Sequence, residues 1–370
     1  MIKHTSKIGD RFQAITDLER SLWCAEKHEW GLSAETVLND GTDSDLGVIN
    51  GSIGVESIFS QNGTPLHRHI AMQKRQNSPT RSLFTGATLG KSGISLNDIE
   101  ENPHKVTDIM STEWNCIGAF NGISSLFATE KLSADLGIIA DKQAVSVIRI
   151  IEECIMHYVG EVDDIESDNL FSFENGVTGI VAFGNSRFTS SMFAEWSVQC
   201  IDEMLSRLEY VDEGAFVSDG TRLLPYVANG TAGVLLAMLS LPTGIWPPHW
   251  GDIVQKLLSA IAPRFTLNAG FGEGASGLVF TAARCRNMLG CEIPYATLDE
   301  LVDDILGTRI YDVVGPGNQQ MYHIMSEGQM AVSRDLWSGT AGTYVALEEY
   351  LSRGKDATGQ HDLLRNILKY

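Results

Sequence analysis

No apolar run in the chain reaches the roughly 18 residues that a membrane-spanning helix needs, so no helical span is predicted. The first residues, MIKHTSKIGDRF, lack the apolar centre of a secretory signal. Positive charge is scarce. There are 27 Lys and Arg against 47 Asp and Glu, a formal net charge of −20. Such a field repels a phosphate backbone and an anionic lipid surface, so neither nucleic acid nor membrane is an expected partner. A neutral or basic peptide is tolerated. No CxxC pair occurs. The six cysteines, Cys24, Cys116, Cys154, Cys200, Cys285 and Cys291, are scattered. That usage reads as buried, reduced thiols in a cytoplasmic protein. The chain also has no GxxxxGK[ST] phosphate loop, no GxSxG elbow, and no kinase ATP-binding or catalytic-loop motif.

What the sequence does have is one short pattern, many times over. Two glycines three apart, followed by an apolar run, stand in NGSIGVESIF (50–59), NGVTGIVAF (175–183), NGTAGVLLA (229–237), EGASGLVF (273–280) and SGTAGTYVAL (338–347). The leading glycines are Gly51, Gly176, Gly230, Gly274 and Gly339. Two looser copies fill the first gap: FTGATLGKSGISL (84–96), with Gly86, Gly90 and Gly93, and IGAFNGISSLF (117–127), with Gly118 and Gly122. Seven units at irregular spacing are therefore expected.

Between motifs the chain reads as amphipathic helix. Val145, Ile148, Ile151, Ile155 and Tyr158 fall on one face, as do Phe193, Trp196, Cys200, Met204 and Leu208. Ile253, Leu257 and Ile261 line up with Val254 and Leu258 beside them. The runs behind the glycines, IVAF, VLLAM and LVFTA, are apolar nearly all round, which suits helices buried on all sides. The 370 residues, 43% hydrophobic and 20% charged, suffice for a sizeable core. The expected architecture is all-α: a closed α/α toroid of about seven buried inner helices inside about seven amphipathic outer ones. Glycine at the inner helix starts lets backbones crowd at one end of the ring. The loose N–H groups of those starts would face a shared mouth. Residues 1–45 read as a lead-in or connector, and 46–370 as one toroid domain. Within it, 311–338 reads as a long loop or short helices.

The repeated motifs, and TRLLPYVANGTAG (221–233) above all, resemble the lanthionine synthetase C-like family, the cyclases of lanthipeptide biosynthesis. The likeness covers 46–352 and is nearest to the cyclase domain at the C-terminal end of class III synthetases. It implies closure of thioether rings, lanthionine or labionin, by adding peptide cysteine thiols to dehydroamino acids. The implied partners are a dehydrated precursor peptide and the kinase and lyase domains. Zinc-dependent members of the family carry a cysteine two residues before the first glycine of the fifth motif and a Cys-His pair before the sixth. Here those places hold Ala228 and the pair Gly272-Glu273, and the family histidine before the fourth motif corresponds to Asn175. The resemblance thus implies the metal-independent variety, with no metal ligand and no cofactor. The same departures leave open a second reading, a scaffold that grips the peptide or docks the kinase and lyase.

Without zinc, the chain must supply a base for the thiol, a hold on the enolate, and a proton for its α-carbon. Converging helix N-termini can offer partial positive charge. Tyr226 and Arg222, ahead of the fifth motif, can pass a proton and steady an enolate. Glu273, ahead of the sixth, can act as a base. Asp335 precedes the seventh motif with Trp337 beside it, and His323 either overhangs the mouth as an acid–base group or is an ordinary surface or packing histidine. Asn175, Asn229 and Trp337 are the candidate substrate contacts, with Gly176, Gly230, Gly274 and Gly339 at the helix starts. Each polar candidate also has an ordinary reading as a helix cap or ion pair; Asn229 stands where an N-cap would. His67-x-His69 lacks an acidic or cysteine partner and reads as solvated loop. A carbohydrate enzyme would need paired carboxylates, for which only Glu273 and Asp335 stand near motifs.

Overall fold

The computed structural model of the chain describes residues 140–262, 266–291, 295–314, 320–325, 332–333 and 336–352, with a few single positions before them. The lead-in, the first two motifs, His67, His69, Cys24, Cys116 and Asp335 lie outside the described residues. What is described is mostly helical. The described residues fall into two compact units: 140–224 with 228–257, and 225–227 with 258–352.

The first unit begins with α1 (Asp141–Val159), then α2 (Ser167–Phe171), α3 (Val177–Gly184) and α4 (Ser191–Ser206). After a small sheet come α5 (Thr231–Leu239) and α6 (Trp250–Ala260), whose last turn belongs to the second unit. Each element follows from its side chains. In α4 all five expected core residues, Phe193, Trp196, Cys200, Met204 and Leu208, are buried, the last just past the helix end. Ser190 caps the helix, accepting from the Phe193 N–H at 3.1 Å. The Ser190 N–H in turn donates to the buried Glu152 of α1 at 3.1 Å, so that carboxylate ties α1 to the start of α4. The α1 stripe is rotated by about a residue from its expected place. Ala144, Val147, Ile148, Ile151, Cys154 and Ile155 are buried, whereas Val145 and Tyr158 stay half-exposed. Helices α3 and α5 are buried along their whole length and pack on each other, as helices apolar all round must.

Strands β1 (Glu209–Val211), β2 (Gly214–Ser218) and β3 (Leu223–Leu224) make an antiparallel sheet between α4 and α5. The β1–β2 connection is a two-residue turn, Asp212-Glu213, with Asp212 at φ 51°. Asp tolerates that left-handed position better than most residues.

The second unit centres on α7 (Ala275–Leu289) and α9 (Thr340–Leu351), which pack closely together. Ser276 Oγ donates to Thr343 Oγ1 at 2.9 Å between their first turns. Helix α8 (Tyr295–Asp304) lies against α7 and ends in a π turn, Ile305–Arg309. Arg309 holds that turn in place, donating to the Thr266 and Leu267 carbonyls and to Asp304 Oδ2.

Residues 311–338 correct the expectation of a loop or short helices. Strands β4 (Ile310–Val314), β5 (Gln320–Met325) and β6 (Val332–Ser333) form an antiparallel sheet in the order β4–β5–β6. Ile310 pairs with Ile324 and Tyr311 with His323. The β-branched and aromatic residues of IYDVV favour a pleated strand over a loop.

The cysteines of the described residues are free thiols. Cys154, Cys200 and Cys285 are buried and Cys291 half-buried. Burial pushes the Cys200 and Cys285 thiols well above their ordinary range, with the nearby Cys291 adding to the effect on Cys285. Among these four, brief iodoacetamide treatment of the native protein is expected to label Cys291 first, read by peptide mass mapping. Equal labelling of Cys285 and Cys291 would contradict the burial of α7.

Candidate functional site

Each described motif is a short loop followed by a helix, and the glycines hold the two together by close approach. The leading glycines Gly176, Gly230, Gly274 and Gly339 are the N-cap residues of α3, α5, α7 and α9. All four have extended backbone, with φ between −155° and −111°, so no left-handed conformation calls for glycine here. Space does. A Cβ at Gly176 would overlap the Asn169 carbonyl, and one at Gly274 would lie 2.6 Å from Gly270 backbone atoms. The second glycine is tighter still. A Cβ on Gly179, Gly277 or Gly342 would overlap the carbonyl oxygen six residues earlier: Phe173, Phe271 and Leu336 respectively.

Hydroxyl groups just inside each helix complete the lock. Thr178 Oγ1 donates to the Leu170 carbonyl at 2.8 Å, and Thr231 Oγ1 to the Leu224 carbonyl at 3.1 Å. Ser276 Oγ donates to the Ala269 carbonyl. These serines and threonines were legible only as motif filler; a polar residue at the head of an otherwise apolar run was the signal.

The pre-helix loops are joined backbone to backbone. In the first unit, Phe173 N–H donates to the Ala228 carbonyl at 2.7 Å. In the second, Val227 N–H donates to the Gly272 carbonyl at 3.1 Å. Trp337 O accepts from both Phe271 N–H, at 2.7 Å, and Gly272 N–H, at 3.0 Å. Within each unit the pre-helix loops are thus bonded to one another.

Three candidate residues lie on bonded loops of the second unit. Tyr226, Glu273 and Trp337 sit on three loops held in register by the last three of those bonds. Trp337 is only 7% exposed; its indole lies against Gly272, where any Cβ would overlap it, and its ring stands 6.0 Å from that of Phe271. Glu273 is exposed and Tyr226 half-buried. Partial burial raises the Tyr226 phenol above its ordinary range, and the Glu273 charge pushes it further the same way. The phenol therefore keeps its proton at neutral pH.

The other candidates stand elsewhere. Arg222 is exposed on the β3 side of the first sheet, and Asp219 holds it: Nε and Nη2 donate to Asp219 Oδ2 at 2.9 and 2.7 Å. The Thr221 hydroxyl and N–H, and then those Arg222 bonds, hold the Asp219 carboxyl well below the usual carboxylate range. Arg222 and Tyr226, four residues apart in sequence, fall in different units. Asn229 is exposed and is not the N-cap of α5; Gly230 is, without a side-chain cap. Asn175, in the first unit, donates its N–H to Ser172 Oγ at 3.1 Å, and its buried Oδ1 has no hydrogen-bond partner among the described residues. A Cβ on Gly118 would come within 3.1 Å of that oxygen, which places the third motif directly against it.

Two expectations need correction. His323 does not overhang a mouth. It lies in β5, 1% exposed, with Nδ1 3.3 Å from Thr340 Oγ1 at the start of α9. The same oxygen accepts the Ile324 N–H at 3.1 Å, so His323 packs strand to helix. The helix-start N–H groups are also less free than expected. In α7, Ala275 and Ser276 donate to the carbonyls of Asn268 and Ala269 at 3.0 and 3.1 Å. In α3, Gly179 donates to Ser172 at 3.4 Å. The loop folds back on its own helix and consumes these donors.

Among the described residues, no three or more His, Cys, Asp or Glu side chains gather as a metal-holding group. No described helix is long and apolar enough to cross a membrane. Compared with protein families and with curated proteins, the chain matches no family model and no curated sequence.

Proposed function

We propose that this chain is a metal-independent lanthipeptide cyclase, built as an α/α toroid of the lanthionine synthetase C-like kind and working in the cytoplasm beside a kinase and a lyase. The observation that carries the reading is the Tyr226–Glu273 pair. It sits on adjoining loops, each opening a buried Gly-x-x-Gly helix, and the loop of Trp337 is bonded to the loop of Glu273. The bonding of pre-helix loops to one another within each unit supports the toroid.

The proposed step adds a thiol across a double bond. Glu273 takes the proton from a cysteine of the dehydrated precursor peptide. The sulfur then forms a C–S bond to the β-carbon of dehydroalanine or dehydrobutyrine, and the π electrons move to the α-carbon as an enolate. Tyr226 delivers its proton to the α-carbon, and the proton on Glu273 restores the phenol. The sum is H and S added across C=C, with nothing oxidised or reduced. A phenol kept neutral suits the donor role, and an exposed carboxylate suits the acceptor.

The test is to incubate dehydrated precursor peptide with the chain and count free thiols by alkylation and mass spectrometry. Ring closure is expected to be faster and more selective than without protein. Tyr226→Phe and Glu273→Gln should each slow it about 100-fold, whereas Arg222→Ala should leave it unchanged, because Asp219 already holds that guanidinium. Closure at the unassisted rate would defeat the proposal.

The second reading, a peptide-binding scaffold, draws on the same placements: Arg222 is ion-paired and His323 buried, so two of the named groups are withdrawn from chemistry. Deleting this domain from the synthesis system separates the two. Loss of dehydration together with rings favours the scaffold, and loss of rings alone favours the cyclase.

A further inference from the structure

We propose that the outer face of the β1–β2–β3 sheet is a docking surface for a cationic, amphipathic segment of another polypeptide. This stands apart from the proposed reaction and uses none of its residues.

The sheet's two faces follow from its register. Opposed residues of an antiparallel pair share a face. Tyr210 faces Ala215 and Val217 faces Leu224, so these four share one side. That side is the inner one: Ala215 and Val217 are buried, and Val217 N–H donates to Thr231 Oγ1 of α5 at 3.0 Å. Val211 with Gly214, Glu209 with Phe216, and Leu223 with Ser218 occupy the other side.

That outer side breaks the ordinary rule for a half-buried sheet, apolar in and polar out. Val211 is 40% and Leu223 37% exposed, with the half-buried Phe216 between them in the sheet order. The Phe216 ring lies over Gly214, where a Cβ would come within 3.0 Å of its Cζ. Glycine thus leaves room for an aromatic ring to lie along the sheet, and the result is a flat apolar strip facing water.

The rim of the strip is negative. Glu209 shares the face, and Asp212 and Glu213 form the exposed turn at its end. No described cation pairs with any of the three. Arg222 belongs to Asp219, and the Lys256 amine stands 5.2 Å from the Tyr210 ring, on the inner side. A partner matching this surface needs apolar side chains alternating with basic ones. A second copy of the chain does not fit, because it brings the same carboxylates and a net charge of −20.

The probe is a short dye-labelled peptide alternating lysine and isoleucine, titrated with the full chain and followed by fluorescence anisotropy. It is expected to bind, and its counterpart with glutamate for lysine is not. Val211→Ser and Leu223→Ser should each weaken binding about tenfold. Both side chains are exposed, and circular dichroism checks that each variant stays folded. Glu213→Lys should weaken binding about tenfold, while Glu195→Lys, the same charge change at an exposed site near the start of α4, at the end of that helix opposite β1, should stay within about twofold. Absence of binding, or equal losses for Glu213→Lys and Glu195→Lys, would overturn the proposal. So would a dimer in light scattering that Val211→Ser abolishes.

Discussion

Gly277→Ala will destabilise the protein, by about 3 kcal/mol, although the same change in an ordinary helix interior stabilises by about 1 kcal/mol. The reversal comes from the space around the site. A methyl group at 277 would overlap the Phe271 carbonyl and stand 2.7 Å from Val227 Cγ2. Neither neighbour can withdraw freely. Phe271 N–H is bonded to Trp337 O, and Val227 N–H to the Gly272 carbonyl. Relief of the clash would therefore disturb the loops that carry Tyr226, Glu273 and Trp337. Gly179→Ala and Gly342→Ala meet the same obstacle at the Phe173 and Leu336 carbonyls and should behave alike. Gly251→Ala is the control. It lies exposed in the first turn of α6 with nothing within 4 Å of the added carbon, so it should be neutral or stabilise by up to about 1 kcal/mol. Urea unfolding followed by circular dichroism measures all four, with each transition fitted separately because the chain has two compact units. A Gly277→Ala protein as stable as Gly251→Ala would refute the close-approach account of the motif.

The second large effect lies at the far ends of α7 and α9. Glu349 is fully buried in α9, and Arg284 of α7 is 4% exposed. Their charged groups stand 3.9 Å apart, and Asn287 Nδ2 donates to Glu349 Oε1 at 2.7 Å. Around them, Arg286 Nη2 donates to the Tyr350 carbonyl at 2.7 Å, and Tyr350 Oη donates to Asp299 of α8 at 2.6 Å. Glu349→Ala strands the Arg284 cation in the core and is expected to cost about 3–5 kcal/mol. The double replacement Arg284→Met with Glu349→Leu should recover most of that loss, since removing both charges also removes the penalty for burying them. The cycle of single and double variants, measured by the same unfolding experiment, separates a stranded charge from a lost packing contact. Equal losses in the single and double variants would mean that shape, not charge, governs this end.

Much of the helical part was readable from periodicity. The α4 face was readable because Phe193, Trp196, Cys200, Met204 and Leu208 recur every three or four residues, and Ile201 and Leu205, buried beside them, widen the same stripe. The α1 face was harder, since Val145, Val147, Ile148, Ile150 and Ile151 crowd one another and give two adjoining stripes; Ala144 and Cys154 decide which is buried. The sheets escaped notice for another reason. Their strands are two to six residues long, too short for an alternating pattern to stand out, though the Asp-Glu turn before Gly214 was a usable hairpin signal. At the site, sequence order put Arg222, Tyr226 and Asn229 together, but it carries no information on where a sheet strand ends and a motif loop begins. Tyr226 and Glu273 were named for their positions ahead of helices. Their proximity depends on one backbone bond, from Val227 to Gly272, forty-five residues along the chain.

The six-residue separation between each second glycine and the carbonyl it admits bears on how the chain folds. Phe173 with Gly179, Phe271 with Gly277, and Leu336 with Gly342 are contacts that close within a single loop and helical turn. The hydroxyl locks at Thr178, Thr231 and Ser276 reach back only seven or eight residues. Such local contacts carry little loop-closure entropy and form early. Each motif is thus a corner closed by local contacts, whereas the bonds between loops join residues 45 to 66 positions apart and carry the larger closure cost.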